Sequence, residues 1–387
     1  MSTAPRGVDG IPEWLQDVQA SLLHSLDALG LAPHVDGQPA WPWAHRLAVE
    51  TLAIDAALTR QLAWSAAALV LALVLLGLAW RWRRGRGPLV MAAAALALAA
   101  PWPSPSLLLQ PAVPTSFHQS PAALSVARLT EGLQLYGTHC AECHGADGRG
   151  ETPRAAQLPV WPPRLSGALL WRRAEGETYW HVRHGLRGRD GGETMPAFGN
   201  RLSPEQTWSV LAALRLLASG QSLKEQGRWT YPVAAPDLTM YCPDAPARQL
   251  ADWRGRRVRI VVAAPLAGMP REDPRFETVV LTDGAAPATS TGCVVAAQAA
   301  EARRLVALVA GQATSIDGVQ LIVDRDGWLR ALGRPGEGGW RAEDLVCRSN
   351  GSLPASPSED GLDALIRRMD ADPVRAGRLL RHGGAPS

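Results

Sequence analysis

Cys140-Ala141-Glu142-Cys143-His144 decides how this chain is read. Two thiols three positions apart, followed at once by a histidine, form the attachment pattern of a c-type haem. Each thiol adds to one vinyl group, and the imidazole ligates the iron from one face. A redox or zinc Cys-x-x-Cys pair is the competing reading. Zinc needs a second ligand pair at a suitable spacing. The remaining cysteines, Cys242, Cys293 and Cys347, are isolated and about a hundred or more residues downstream.

A hexacoordinate haem needs a second axial ligand, and methionine suits a high-potential electron carrier. Among six methionines, Met195 has the right setting, in Gly192-Glu193-Thr194-Met195-Pro196-Ala197-Phe198 about fifty residues after the haem motif. Pro196 stiffens the loop and Phe198 offers an aromatic wall. His181 and His184, three apart in Tyr179-Trp180-His181-Val182-Arg183-His184-Gly185, are the competing ligands. A proline carbonyl, from Pro159, Pro162 or Pro163, is placed to accept the Nδ1–H of His144 and fix its tautomer.

Helices flank the motif. Ser203-Pro204-Glu205-Gln206 supplies an N-cap, a proline at the first helical position and a capping-box glutamine. Trp208, Leu211, Ala212 and Leu216 then recur at helical spacing, and Gly220 is the expected end. Leu124, Ala127, Leu133 and Tyr136 line a second amphipathic segment running into Cys140. From Ala122 to Gly220 the chain resembles a class I cytochrome c domain, with Gly132 and Tyr136 at the helix contact. Ala213 departs from that pattern, which often has an aromatic residue there. The resemblance implies one covalent haem c held by Cys140 and Cys143, with His144 and Met195 as axial ligands.

Apolar residues make up 47% of the 387, concentrated early. Leu62 to Trp80 is uncharged and roughly 28 Å long as a helix, enough for a bilayer core. After Arg81-Trp82-Arg83-Arg84-Gly85-Arg86, a second apolar run extends from Pro88 to about Val113, interrupted by Pro101, Pro103 and Pro105. Short basic loops stay cytoplasmic, so both chain ends face the other side. Covalent haem attachment in bacteria takes place on that same, periplasmic side. No removable signal peptide is expected at Met1. The first sixty residues are then translocated by the span itself, or by spans the chain has lost. Trp41-Pro42-Trp43, the span, the arginine loop and Pro114-Thr115-Ser116-Phe117 resemble the end of a CopD (copper resistance D) membrane domain. The further helices that carry that family's proposed copper ligands are missing, so copper transport is not implied.

A net charge of +3 is too small to imply a nucleic-acid partner. Lys224 is the lone lysine, so no lysine-ringed docking face exists. Arg187, Arg189 and Arg201 are candidates to replace it.

Residues 221–235 read as a linker. Beyond it Val258–Val262 and Thr278–Leu281 read as buried strands, Ala299–Val309 as a helix, and Val319–Ala331 as a hairpin turning at Asp326-Gly327. Leu362–Met369 closes the pattern. With Pro236-Asp237-Leu238 and Leu250-Ala251-Asp252-Trp253-Arg254-Gly255, this part resembles a thioredoxin-like domain of the peroxiredoxin and TlpA branch. It departs from that family where Ala264-Pro265-Leu266-Ala267-Gly268 carries no cysteine and Val319 replaces the cis-proline. The domain is therefore expected to be a degenerate docking scaffold without thiol chemistry at that site. Two of Cys242, Cys293 and Cys347 can pair in an oxidising compartment, in any of three ways. A soft copper site at Met240 and Cys242 is the alternative.

The sequence thus predicts a multidomain chain: one or two transmembrane helices, an all-α cytochrome c domain and an α/β thioredoxin-like domain. The expected boundaries are 1–61 N-terminal periplasmic segment, 62–113 anchor (helices about 62–80 and 88–109), 122–220 cytochrome c, 221–235 linker, 236–371 thioredoxin-like and 372–387 tail. The expected function is single-electron transfer by a monohaem c-type cytochrome of the bacterial inner membrane. Haem and C-terminal domains would face the periplasm, with a redox protein as partner (an oxidase or a copper protein) and no catalysis on the chain. A copper-handling or oxidase-assembly accessory, or a haem enzyme with a displaceable sixth ligand, are the rival functions.

Overall fold

The computed structural model describes residues 11–47, 56–104, 109–171, 173–243, 245–263, 273–282, 292–295, 298–311, 316–333, 340–341, 344–347 and 361–374. The chain divides into two compact units. The first comprises residues up to His118 together with Arg172–Glu177, and the second most of the remainder.

In the first unit, α1 (Ile11–Ala28) precedes a small hairpin of β1 (His34–Val35) and β2 (Gln38–Pro39). Then β3 (His45–Leu47) pairs antiparallel with β4 (Leu109–Pro111). Leu23, Ala32, Trp41, Phe117 and Ala174 form its apolar cluster. Arg46 is buried and donates from Nε to Glu177 Oε1 at 2.7 Å and from Nη1 to the Leu47 carbonyl at 3.1 Å. Its charge is thereby matched inside the unit.

Between β3 and β4 rises α2 (Ala56–Arg81), about 39 Å long at 1.5 Å per residue. Its stretch Arg60–Arg81 is long and apolar enough to cross a membrane. Leu69, Val70, Leu73, Val74 and Leu78 project outward, unlike the side chains of a core helix. Exposed Trp64 and Trp80 stand near the two ends, roughly 24 Å apart along the axis. After a single 3-10 turn at Arg83–Gly85, α3 (Arg86–Ala99) runs back along α2. The sequence predicts a helix over 88–109; the structure ends it at Ala99, too short to span a bilayer. Pro101 lacks an N–H and holds Ala100 extended, at φ −61° and ψ 139°. The freed Pro101 carbonyl accepts from Ser65 Oγ at 2.9 Å, tying the return to α2.

In the second unit, α4 (Val126–His139) is capped by Ser125 and runs into the short α5 (Ala141–His144). The helix α6 (Glu175–His184) leads to a hairpin of β5 (Leu186–Arg187) and β6 (Glu193–Met195). Then α7 (Pro204–Gln226) begins with the predicted capping box of Ser203 and Gln206, with proline in its first turn. α4 crosses α7 with the backbones nearly touching: a Cβ on Gly132 would sit 2.0 Å from the Ser209 carbonyl oxygen and 2.8 Å from Ala213 Cβ. Ala213, without the aromatic ring expected there, is the small partner that this approach requires.

The predicted helix end at Gly220 is incorrect: α7 continues to Gln226 and stops at Gly227, whose φ is +70°. Gly220 instead marks a second close approach. A Cβ there would meet the Leu308 carbonyl of α8 (Ala299–Val309) at 1.8 Å. Residues 221–235 do not behave as a solvated linker either. Trp229 is 1% exposed, and its indole N–H donates to the Val309 carbonyl at 2.8 Å. Ala235 N–H bonds the Gly327 carbonyl at 3.0 Å. Composition suggested a linker because the polar residues there hide one anchoring tryptophan.

The rest of this unit is a five-stranded mixed sheet in the order β11-β10-β9-β12-β13. These are β9 (Val258–Val262), β10 (Glu277–Leu281), β11 (Cys293–Val295), β12 (Gln320–Val323) and β13 (Leu329–Gly333). β9, β10 and β11 are parallel, and β12 is antiparallel to both neighbours. A preceding hairpin of β7 (Thr239–Met240) and β8 (Arg248–Gln249) leads in, and α9 (Leu362–Ala371) packs on Phe276, Ile322, Trp340 and Leu345. Every residue of β9 is buried, which explains its unbroken apolar appearance around one arginine. The buried Arg330 bonds Asp324 Oδ2 at 3.2 Å and the Asp372 carbonyl at 2.5 Å, fastening the end of α9 to the hairpin. The cysteine-free loop Ala264–Gly268 lies outside the described residues.

Gly132→Ala should destabilise the second unit by about 3 kcal/mol, because the new methyl has no room against backbone. Its melting temperature should fall by roughly 10 °C. Unchanged thermal unfolding followed by circular dichroism would remove the close crossing from the account.

Candidate haem-binding site

The haem motif is the last turn of one helix and the first of the next. Cys140 N–H still bonds the Tyr136 carbonyl at 2.9 Å, while His144 N–H bonds the Cys140 carbonyl at 2.9 Å. This turn places Cys140 and Cys143 on one helical face, three residues apart. Gly145, with φ +78°, ends the turn, and its carbonyl accepts the Tyr136 hydroxyl at 2.7 Å. Thr152 Oγ1 donates to the Glu142 carbonyl at 2.7 Å and accepts from Ala155 N–H at 3.0 Å. Gly150 N–H bonds the His144 carbonyl at 2.7 Å. The motif is thus braced from both the preceding helix and the following loop.

Both sulfurs are free thiols and partly accessible. Burial, reinforced by the neighbouring Cys143, pushes the Cys140 thiol up to about 11. His144 Nδ1 is buried and makes no hydrogen bond of normal geometry. Burial lowers the pKa of this imidazole, and the Pro163 carbonyl opposes the shift. Of the three prolines open in the sequence, Pro163 is the one whose carbonyl acts on His144, without closing a hydrogen bond of normal geometry. A neutral imidazole with Nδ1 toward a carbonyl is the form that ligates a metal through Nε2.

Met195 ends β6 and pairs with Leu186. Gly185, at φ +74°, makes this pairing possible: a Cβ there would lie 2.6 Å from the Met195 carbonyl oxygen. Met195 is half-buried and packs on the same apolar cluster as Cys140, Ala141, Leu135 and Leu165. The core of that cluster includes Tyr136, Phe198, Trp208 and Leu211, and Tyr179 stacks on Trp208 at 4.4 Å. Of the competing histidines, His184 is exposed and stacks on Trp180 at 3.6 Å, while His181 is half-buried. Among the described residues no three His, Cys, Asp or Glu side chains converge as a metal site.

These residues fit a covalently bound haem c. Two accessible thiols share a face, a histidine with an unsatisfied buried nitrogen follows them, and a thioether lies on the same apolar wall. Sequence reasoning found the ligand candidates but missed the Tyr136–Gly145 and Thr152–Glu142 bonds. Both end on backbone carbonyls, which leave no side-chain pattern to read.

The soft copper pair at Met240 and Cys242 is excluded. Met240 is fully buried, and Cys242 forms a disulfide with Cys293, leaving Cys347 as a buried free thiol.

Residues 127–212 match the model of the family described as cytochrome c oxidase, cbb3-type, subunit III. The FixP subunits of cbb3-type cytochrome c oxidase from Sinorhizobium medicae and Rhizobium meliloti are similar over 110 residues, at 31% and 30% identity. Each similarity covers 27% of this chain and 36% of the FixP subunit, so the chain spans about a third of the length of the curated relatives it matches. A chain of the Kuenenia stuttgartiensis reducing HAO-like protein complex Kustc0457/Kustc0458 is similar over 34% of this chain and 59% of its own. Its identity of 20% and TM-score of 0.22 are too low to inform the fold.

In protein prepared without haem, alkylation of Cys140 should keep accelerating past pH 9, with a midpoint near 11. An ordinary thiol levels off near its pKa of about 8.5. Rates read by peptide mass spectrometry that plateau by pH 9 would contradict the buried setting. The stretch at 127–212 is a cytochrome c domain like that of cbb3 oxidase subunit III, and such a domain implies covalent haem c.

Proposed function

We propose that this chain is a membrane-anchored, periplasm-facing monohaem cytochrome that carries single electrons. The observation that carries the reading is the packing of Met195 and Cys140 on one apolar cluster, inside the segment that matches the oxidase subunit family. Cys140 and Cys143 would hold the haem through thioethers, and His144 and Met195 would ligate its iron. Bound haem supplies a one-electron iron couple. The chain's residues do the rest. Burial favours the neutral form of His144, and the Tyr136 and Thr152 hydrogen bonds brace the attachment turn. With His144 and Met195 both ligating, the iron would offer no open site to oxygen or peroxide, and electron transfer needs none.

The anchor is α2. Its flanking tryptophans suit the two membrane interfaces, and Arg81, Arg83, Arg84 and Arg86 hold the α2–α3 loop in the cytoplasm. The disulfide supports the same assignment, since such bonds persist in oxidising compartments. The resemblance of the anchor to the end of a CopD domain belongs to this proposal. So does a thioredoxin-like origin for the sheet, supported by the central order β10-β9-β12-β13 with β12 reversed. FixP is a subunit of a cbb3-type oxidase, so the partner proposed here is an oxidase or another electron carrier of the same membrane.

Met195→Ala tests the reading. The wild type should be low-spin and, when reduced, should not bind carbon monoxide. The variant should keep its haem on a denaturing gel, turn partly high-spin when oxidised and bind carbon monoxide when reduced. Identical spectra for the two proteins would remove Met195 as ligand and turn attention to His181.

A further inference from the structure

The disulfide between Cys242 and Cys293 lies where a partner can reach it. Cys293 opens β11, the edge strand of the sheet. Cys242 lies in the turn of the β7–β8 hairpin, outside that edge. Tyr241 and Val294 exchange two backbone hydrogen bonds, of 2.9 and 2.8 Å, so Cys242 and Cys293 are the next opposed pair. The two sulfurs are not equivalent. Cys293 is 8% exposed, whereas Cys242 is only partly buried and follows Tyr241, a residue 49% exposed.

We propose that Cys242–Cys293 is an exchangeable disulfide that accepts two electrons from a dithiol of a partner protein. The partner's thiolate attacks Sγ of Cys242, the less buried of the two cysteines. The Cys242–Cys293 bond breaks, a bond from Cys242 to the partner sulfur forms, and Cys293 leaves as a thiolate that takes up a proton. The partner's second thiol, deprotonated, then attacks its own sulfur in the mixed disulfide. The partner leaves oxidised, and Cys242 departs as a thiolate that is protonated in turn. Two electrons and two protons have moved from the partner to the pair. The exposed Tyr241 ring offers an apolar rest for the partner's segment beside its cysteine.

Two features favour an oxidised form that can be reduced. Among the described residues the turn meets β11 through one bridge, at Tyr241 and Val294, so opening the bond disrupts little else there. The reduced Cys293 remains buried as a neutral thiol, a group that tolerates an apolar site. Exposed disulfides whose reduced form is well accommodated are the reducible ones.

The test uses the full-length, haem-loaded chain, equilibrated in glutathione buffers of increasing reducing strength and alkylated for mass analysis. The native pair should become half-reduced within the glutathione range, while the haem spectrum stays unchanged. A pair that remains fully oxidised until the protein is denatured would overturn the proposal. Cys293→Ser supplies the second arm. Incubated with a fluorescent peptide carrying a single cysteine as its mixed disulfide with 2-nitro-5-thiobenzoate, this variant should retain label at Cys242, and Cys242→Ser should label at least tenfold less at the buried Cys293. Equal labelling of the two variants, with both still folded by circular dichroism, would also overturn it. Both readouts are independent of haem ligation, so failure here leaves the cytochrome reading standing.

Discussion

One helix is buried on every side, and the second unit is organised around it. From Thr207 to Gly220 each residue of α7 is removed from water, which is unusual for a helix of modest hydrophobicity carrying serines and an arginine. Glycines make it possible. Gly132 of α4 lets α7 approach from one side, and Gly220 lets α7 approach α8 from another. The polar side chains along it are satisfied locally. Ser209 Oγ donates to the Glu205 carbonyl at 3.0 Å, and Ser219 Oγ donates to the Arg215 carbonyl at 2.9 Å. α7 therefore serves two cores at once, the aromatic cluster behind the haem motif and the apolar side of α8.

The cytochrome c stretch and the capping box were legible because each depends on residue types at fixed local spacing. The same holds for the strands, where β9 and β12 are short apolar runs bounded by turns. What escaped was tertiary. Gly220 looks like a helix stop because glycine usually is one, and only the position of Leu308 shows its other use. Trp229 looked like a residue of a polar linker because its burial depends on Val309 and Val346, far along the chain. Among Pro159, Pro162 and Pro163 no local rule decides which carbonyl faces His144. The prolines at 101 and 103 were visible, and their effect on α3 follows from the missing N–H.

The two halves of the second unit are best understood as one body. The helix α8, which packs on α7 at Gly220, cannot be removed without exposing α7. Loss of the C-terminal third would then act on the cytochrome part through stability as well as through any docking. The first unit follows a different rule. Arg46 and Glu177 pair inside it, while α2 leaves Leu69, Val70, Leu73, Val74 and Leu78 uncovered along a stretch long and apolar enough to cross a membrane.

The central claim is that Cys140 and Cys143 carry a haem covalently. The most direct measurement is the intact mass of the protein expressed with a c-type haem maturation system, followed by mapping of its proteolytic peptides. The account predicts a mass greater than the polypeptide by one haem, located on the peptide containing both cysteines. A polypeptide of unmodified mass, with Cys140 and Cys143 recovered as free thiols, would contradict it.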